Sequence, residues 1–182
     1  LFAGMAPHLA KNELHPENYA FKYPKAGERN SLVSVHAYEL STQKTVKVDV
    51  GPEPDQYIPR LKWSPKGSLV LYRLNRLQNK LEFLYANPSD GTSKVFYTEE
   101  NKQYLDEGYF DNLTFVNNGD QFIYTSERDG YAHLYLHAAN GTLINQITSG
   151  NWDVTEYLGY DAKKKLVYFQ SAGESPLRRS IY

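Results

Sequence analysis

Three short patterns in the sequence could carry chemistry. Gly173-Glu174-Ser175-Pro176-Leu177 approaches the G-x-S-x-G of a nucleophile elbow, in which a strained strand-to-helix turn projects a serine hydroxyl. That turn needs its second glycine to relieve crowding, and Leu177 stands there instead. Only five residues follow Leu177, too few for the helix or for an Asp and a His in hydrolase order. Ser175 is therefore expected in a polar loop between strands. His133 and His137 are four apart, the spacing that a helix turns into a pair of metal ligands. They sit in His-Leu-Tyr-Leu-His, a period-two stretch, and on a strand that span is about 13 Å. One zinc ion cannot bridge it, so solvated or hydrogen-bonded sheet histidines are expected. Ser41-Thr42-Gln43-Lys44 matches S-x-x-K, which activates a serine only where it opens a helix. Alternating residues on both sides make it a hairpin turn.

Acidic residues form two tight groups, Glu99-Glu100 and Glu127 to Asp129. Paired acids can hold an amine or share a proton, but acids in the turns of short strands are expected to be solvated. Asn112-Leu113-Thr114 and Asn140-Gly141-Thr142 match the glycosylation acceptor pattern. Cysteine is absent, which excludes disulfides, thiolate catalysis and cysteine-ligated zinc. Lys and Arg number 20 against 21 Asp and Glu, for a formal charge of −1. A nucleic-acid partner requires a clustered basic excess that this balance does not supply. No apolar run approaches the roughly 20 residues that span a bilayer, and no basic-then-apolar leader opens the sequence. No phosphate-cradling glycine loop is present. The residues thus point to no cofactor, no metal, no nucleic acid and no membrane span within this chain.

The elements that would position any site come from a repeat. With 182 residues, 41% of them apolar, the chain can bury one sizeable core. Its 16 tyrosines suit half-buried sheet faces, because the ring is apolar and the hydroxyl tolerates water. Arg60 to Tyr72 reads as a strand, a Pro/Gly turn and a second strand. The same order returns from Asn112 to Tyr124 and, with lysines at the turn, from Tyr157 to Phe169. Trp63, Phe115 and Tyr160 are equivalent, 52 and 45 residues apart. A second strand pair follows: Leu81 to Gly91 matches Ala132 to Gly141, with Tyr85 to Tyr135 and Gly91 to Gly141 both 50 apart. Asp90-Gly91 and Asn140-Gly141 are hairpin signals, since Gly and Asn tolerate positive φ. A fourth strand closes each unit, at Ser93 to Thr98 and at Leu143 to Thr148. Upstream, Ser34 to Leu40 and Thr45 to Val50 form the last hairpin of an earlier unit.

Four antiparallel strands per period of roughly 40 to 50 residues is the signature of a β-propeller blade. One such sheet cannot bury both faces alone, so it must stack on a neighbour. A two-sheet sandwich would give short strands but not this strand-by-strand likeness. The expected fold is all-β, a partial propeller of about three four-stranded antiparallel blades. Residues 1–31 are read as a lead-in segment and loop, and 32–50 as the outer hairpin of a blade. Residues 51–104 and 105–150 are read as full blades, and 151–182 as an incomplete one.

Tyr23-Pro24-Lys25-Ala26-Gly27-Glu28, then Asn30 and the alternating strand from Leu32, resembles the dipeptidyl peptidase IV branch of the prolyl oligopeptidase-type serine peptidases. Further matches follow in the same order. Tyr57 to Pro65 resembles that family's blade-opening strand with W-S-P. Ser126 to Tyr135 resembles its S-E-R-D-G-x-x-H-L-Y stretch, and Thr148 to Val154 resembles T-x-G-x-W-x-V. The likeness covers nearly all of residues 19 to 182.

The resemblance implies an arc of an eight-bladed propeller capping a C-terminal α/β-hydrolase domain of the same polypeptide, which lies outside these residues. The Ser-Asp-His triad belongs to that domain, so this chain alone is expected to have no catalytic residues and no activity. The parent is expected to be an exported, periplasmic or cell-surface exopeptidase that releases X-Pro or X-Ala dipeptides from peptide substrates. The resemblance leaves room for a homodimer of the whole protein. Proline's fixed φ and missing N–H resist ordinary peptidases, which makes a dedicated small pocket a reasonable solution. These blades would wall the cavity and restrict access. The family's amine-binding acids and carboxylate-orienting arginine have no matching position here. Tyr109 and Phe110 lie where the family lines its second subsite and are the candidate substrate-binding residues. A non-catalytic binding propeller, similar to TolB-like or WD-type scaffolds, is the alternative from another class. A free-standing carbohydrate-binding sandwich is a third reading.

Overall fold

The computed structural model describes residues 25–182 and the backbone of two strands before them, β1 (Ala6–His8) and β2 (Glu17–Tyr19). Two compact units are present, Leu1–Leu32 and Val33–Tyr182. In the first, β1 pairs antiparallel with β2, so the segment read as a lead-in contains a hairpin. Lys25 to Glu28 closes a turn in which Glu28 N–H donates to the Lys25 carbonyl at 3.0 Å. Tyr23 and Pro24 of the motif lie outside the described residues.

The second unit is all-β apart from short single turns, and its strands fall into four antiparallel groups. The first is the hairpin β3 (Val35–Glu39) and β4 (Lys44–Val48), with Ser41 to Gln43 in its turn. The second holds β5 (Gln56–Tyr57), β6 (Leu61–Trp63), β7 (Leu69–Asn75), β8 (Lys80–Ala86) and β9 (Ser93–Glu100). Here β5 and β6 both pair with β7, which is followed in order by β8 and β9. The third runs in simple order through β10 (Thr114–Val116), β11 (Gln121–Ser126), β12 (His133–Ala138) and β13 (Leu143–Gln146). The fourth is β14 (Val154–Asp161), β15 (Leu166–Ser171) and β16 (Ser180–Ile181). Trp63 faces Leu69, Phe115 faces Phe122 and Tyr160 faces Val167. The three residues equated in the repeat therefore hold matching places in their ladders.

Period-two alternation decides which interface each side chain enters. On β7 and β8, Val70, Tyr72, Leu74, Leu81 and Phe83 join Phe110, Leu113, Phe122 and Tyr124 in one buried cluster between the second and third sheets. Their neighbours Leu69, Leu71, Leu84 and Ala86 turn the other way and pack with Val35 and Val48 of the hairpin. On the third sheet Ile123 and Leu134 face the fourth, where Val154, Tyr157, Tyr160 and Phe169 meet them. The central strands β7, β8, β11 and β12 thus pack on both faces, while β6 and β13 remain exposed. This is why Leu69 to Leu74 reads as a nearly continuous apolar run.

Two glycines set how closely successive sheets approach. Gly91 and Gly141 have φ of +76° and +88° in the hairpin turns after β8 and β12. A Cβ on Gly91 would collide with the Lys47 carbonyl oxygen, and one on Gly141 with the Phe96 carbonyl oxygen. Asp49 N–H donates to the Gly91 carbonyl at 2.8 Å, so the first of these turns is bonded to the preceding hairpin. The 50-residue period is thus written into main-chain contact as well as into strand order.

Candidate functional site

The motif residues converge on the junctions between sheets. His133 is fully buried, with Nδ1 3.0 Å from Thr148 Oγ1 and Nε2 2.9 Å from the Gly150 carbonyl. Its ring stands edge-on to Trp152 at 5.1 Å. Thr148, Gly150 and Trp152 are the spaced residues of the T-x-G-x-W stretch, so two motifs distant in sequence make one contact set. Asp153 extends it: its Oδ1 accepts from Ala132 N–H at 2.8 Å, and Val154 N–H donates to the Ala132 carbonyl at 2.7 Å. Gly150 has φ +135°, and a Cβ there would strike the Trp152 indole. These residues fix the link from the third sheet to the fourth. The histidine is spent on structure.

The acidic pair Glu99-Glu100 requires a correction. Glu100 is exposed, but Glu99 is buried, at 6% exposure. It accepts hydrogen bonds from the Tyr97 hydroxyl and the Ser126 hydroxyl. Arg128 Nη2 completes the pair at 3.0 Å, and its guanidinium lies 4.3 Å from the centre of the Tyr135 ring. Burial of a carboxylate is tolerated because a cation and two hydroxyls satisfy it. The alternation of β9 carried the signal: Tyr97 and Glu99 share one face, and Tyr97 is core. His137 is also buried, stacked on Phe122 at 4.9 Å, with Nδ1 3.0 Å from the Gly141 carbonyl. Burial holds its pKa below the usual histidine value.

The sequence candidates Tyr109 and Phe110 occupy a 3₁₀ turn, Glu107–Asn112, entered through Asp106, whose side chain accepts from Gly108 N–H at 2.8 Å. Adjacent positions on this turn point to different environments. Phe110, 2% exposed, belongs to the cluster between the second and third sheets; its side chain is committed to the core and offers no surface. Tyr109 is half-buried. Its phenol is pushed up to about 12, first by burial and then by the carboxylates of Glu127, Asp153 and Asp106. Carboxylates from the turn before β10, the loop after β11 and the link into β14 therefore all lie near enough to raise the pKa of this one tyrosine. Glu127 is half-buried, and its pKa is raised by burial first and by Asp106, Asp153 and Glu99 after it. Such a rim can present an aromatic wall with a hydroxyl donor, in an acidic field that favours cations. Sequence reasoning left out Asp106 and Asp153; the position of Asp153 inside T-x-G-x-W-x-V was the available signal.

The remaining motifs separate cleanly. Ser175 lies between β15 and β16, its Oγ accepting from Leu177 N–H at 3.3 Å. Asn112 Nδ2 donates to Thr125 Oγ1 at 3.1 Å, so its amide is engaged, whereas Asn140 is exposed at a hairpin tip. Among the described residues no group of three or more His, Cys, Asp or Glu could hold a metal ion, and no helix is long and apolar enough to cross a membrane.

Stacked antiparallel sheets, joined by repeated glycine contacts and by a histidine-centred link, define a segment of a β-propeller. The family model described as the dipeptidyl peptidase IV N-terminal region matches residues 5–182, and the chain belongs to that family. The dipeptidyl peptidase 4 of Porphyromonas gingivalis is 42% identical, with a TM-score of 0.84, over 95% of this chain and 24% of that one. A putative dipeptidyl aminopeptidase IV from Bacteroides ovatus is 30% identical, with a TM-score of 0.77, over 93% of this chain and 26% of the other. Among curated relatives, a probable dipeptidyl peptidase 4 of Arthroderma benhamiae is 30% identical over 178 residues, 92% of this chain. The chain spans about a quarter of the length of these proteins, which places it within a longer parent.

Proposed function

We propose that this chain forms part of the wall of the substrate cavity in a serine-type dipeptidyl peptidase, and that Tyr109 is its substrate-facing residue. The four sheets are then successive parts of one ring of eight blades, divided at 32–50, 51–104, 105–150 and 151–182. The ring sits over a C-terminal α/β-hydrolase domain that supplies serine, aspartate and histidine. The parent is exported and releases X-Pro or X-Ala dipeptides, while the blades hold back folded proteins by size.

The observation that carries this reading is the contrast within the 3₁₀ turn. Phe110 anchors the turn in the core, and Tyr109 beside it keeps a neutral hydroxyl on an acidic rim. A dipeptidyl peptidase must accept a peptide whose free N-terminus is cationic, and such a rim attracts that charge. A rigid ring next to it limits where the peptide can lie. Tyr109→Ala in the full-length protein is expected to raise KM for Ala-Pro and Gly-Pro chromogenic substrates by about three- to tenfold, with kcat little changed. An unchanged KM would remove Tyr109 from the cavity wall. Residues 1–182 alone are expected to give no turnover.

A further inference from the structure

The turn that carries Tyr109 is held largely from outside its own sheet. Four consecutive residues after Tyr109 are each fixed by a different contact. Phe110 is buried between the sheets. Asp111 Oδ1 accepts from Arg60 Nε at 2.7 Å. Asn112 bonds to Thr125 of β11. Leu113, fully buried, ends the turn in an extended conformation, and its carbonyl accepts from Lys62 Nζ. Arg60 and Lys62 both belong to the preceding sheet: Lys62 is the middle residue of β6, and the Arg60 carbonyl accepts from Tyr72 N–H of β7 at 3.1 Å.

We propose that Lys62, assisted by Arg60, is a positioning residue for Tyr109, so that strand β6 of one blade sets the place of the substrate-facing ring on the next. The inference rests on the reading of Tyr109 given above. Alternation supports the assignment. All three residues of β6 are exposed, but Leu61 and Trp63 share one side of the strand and Lys62 takes the other, from which its Nζ reaches the Leu113 carbonyl beside the next sheet. Its ammonium meets a main-chain carbonyl at the exact residue where the 3₁₀ turn stops, and no carboxylate forms an ion pair with it among the described residues. Lys62 as a whole remains solvent-exposed, while partial burial lowers its pKa and Asp111 partly offsets that shift. A lysine that served solubility alone would keep its head in water. The Arg60–Asp111 pair is exposed on both sides and contributes direction more than energy. Lys62 is therefore the stronger of the two tethers.

The test is a kinetic cycle in the full-length protein with Ala-Pro and Gly-Pro chromogenic substrates. Lys62→Met keeps the stem and removes the ammonium; it is expected to raise KM about fivefold with kcat within about twofold, since a displaced positioning group weakens binding before chemistry. Lys62→Arg, which restores a cationic donor, is expected to recover most of the loss. Combined with Tyr109→Ala, Lys62→Met should add little, because the group it positions is gone. Thermal midpoints of all variants are read in parallel. If Tyr109→Ala raises KM and Lys62→Met does not, the tether is overturned while the cavity-wall reading stands. Additive effects in the double variant, or a loss from Lys62→Met that follows the thermal midpoint and is not rescued by arginine, also overturn it. An unchanged KM in Tyr109→Ala overturns the cavity-wall reading and the tether with it.

Discussion

Leu61 and Leu113 hold equivalent places in the repeat, as do Trp63 and Phe115, yet their surroundings differ. Leu113 is 0% exposed and Leu61 is 54% exposed. Phe115 packs against the cluster between the second and third sheets, whereas Trp63 stands 61% exposed. The difference lies in what precedes them. Leu113 and Phe115 have a complete sheet, β5 to β9, on their outer flank; among the described residues Leu61 and Trp63 have only the two-stranded hairpin β3–β4. The other end repeats the lesson: Ile123 is buried against the fourth sheet, while its equivalent Tyr168 is 38% exposed. Residue type makes a sheet face able to be buried, and a neighbouring sheet makes it buried. The sealed junction between β9 and β12 and the two open flanks are the same architecture with and without a partner.

The sealed junction should be the harder to perturb without cost, and its most sensitive point is main chain. Gly141→Ala adds a Cβ that meets the Phe96 carbonyl at a φ of +88°. The left-handed conformation costs about 1–2 kcal/mol, and displacing a packed strand costs about 1–3 kcal/mol more. Urea unfolding of Gly141→Ala is expected to lose about 2–5 kcal/mol by adding those two costs. Gly67→Ala is the control. Gly67 has a similar φ of +82° with nothing within 4 Å, so only the conformational cost of about 1–2 kcal/mol applies. Equal losses in the two variants would show that the close approach of sheets at Gly141 contributes nothing.

A second probe of the same junction is pH. His137 lies between Phe122 and Tyr97, and burial lowers its pKa from the value it has when unfolded. Between the lowered and the ordinary value, the unfolded chain binds more protons than the folded one, so stability falls as pH falls. The contribution is fully present above the ordinary histidine range near 6.5 and is lost on acidification below it. Denaturation midpoints of the native chain between pH 7.5 and 5.5 should therefore fall more steeply than those of His137→Phe. Parallel slopes would mean that the ring is not a buried neutral group. The effect is expected to be smaller than that of Gly141→Ala, because the hydrogen bond to the Gly141 carbonyl opposes the burial that lowers the pKa.

Much of this architecture was legible because propeller repeats leave their period in the turns. Asp90-Gly91 and Asn140-Gly141 announced hairpins, and they are also the points where sheets touch. The likeness of Trp63, Phe115 and Tyr160 located strands, but it could not report burial, which depends on the neighbouring sheet. Glu99 was misread for a related reason. Two adjacent acids look solvated in a one-dimensional pattern, while strand alternation sends one of them to the face that carries Tyr97. Its partners Ser126 and Arg128 are distant in sequence, and no local rule pairs them. Phe110 beside Tyr109 shows the same limit at a 3₁₀ turn, where adjacent aromatics diverge and only the packed sheets decide which one is core. The hairpin β1–β2 escaped notice because its strands are short and do not alternate.

The open flanks yield the smallest change in stability and the sharpest test of the comparison. Trp63→Lys and Tyr168→Lys replace side chains that are already solvent-exposed, so each should shift the unfolding free energy by no more than about 0.5 kcal/mol. Their effect belongs to association. Exposed apolar residues cluster at both ends, with Tyr38, Leu40, Leu61 and Trp63 at one and Leu158, Leu166, Tyr168 and Ile181 at the other, surfaces suited to pairing with a second copy. Residues 1–182 in isolation are expected to self-associate as concentration rises, and the double variant to shift sedimentation toward monomer. In the full-length protein the same two substitutions should become strongly destabilising, since a lysine would then be buried between sheets without a partner. If they stay neutral there too, the flanks are free surfaces of a finished fold and the ring reading fails.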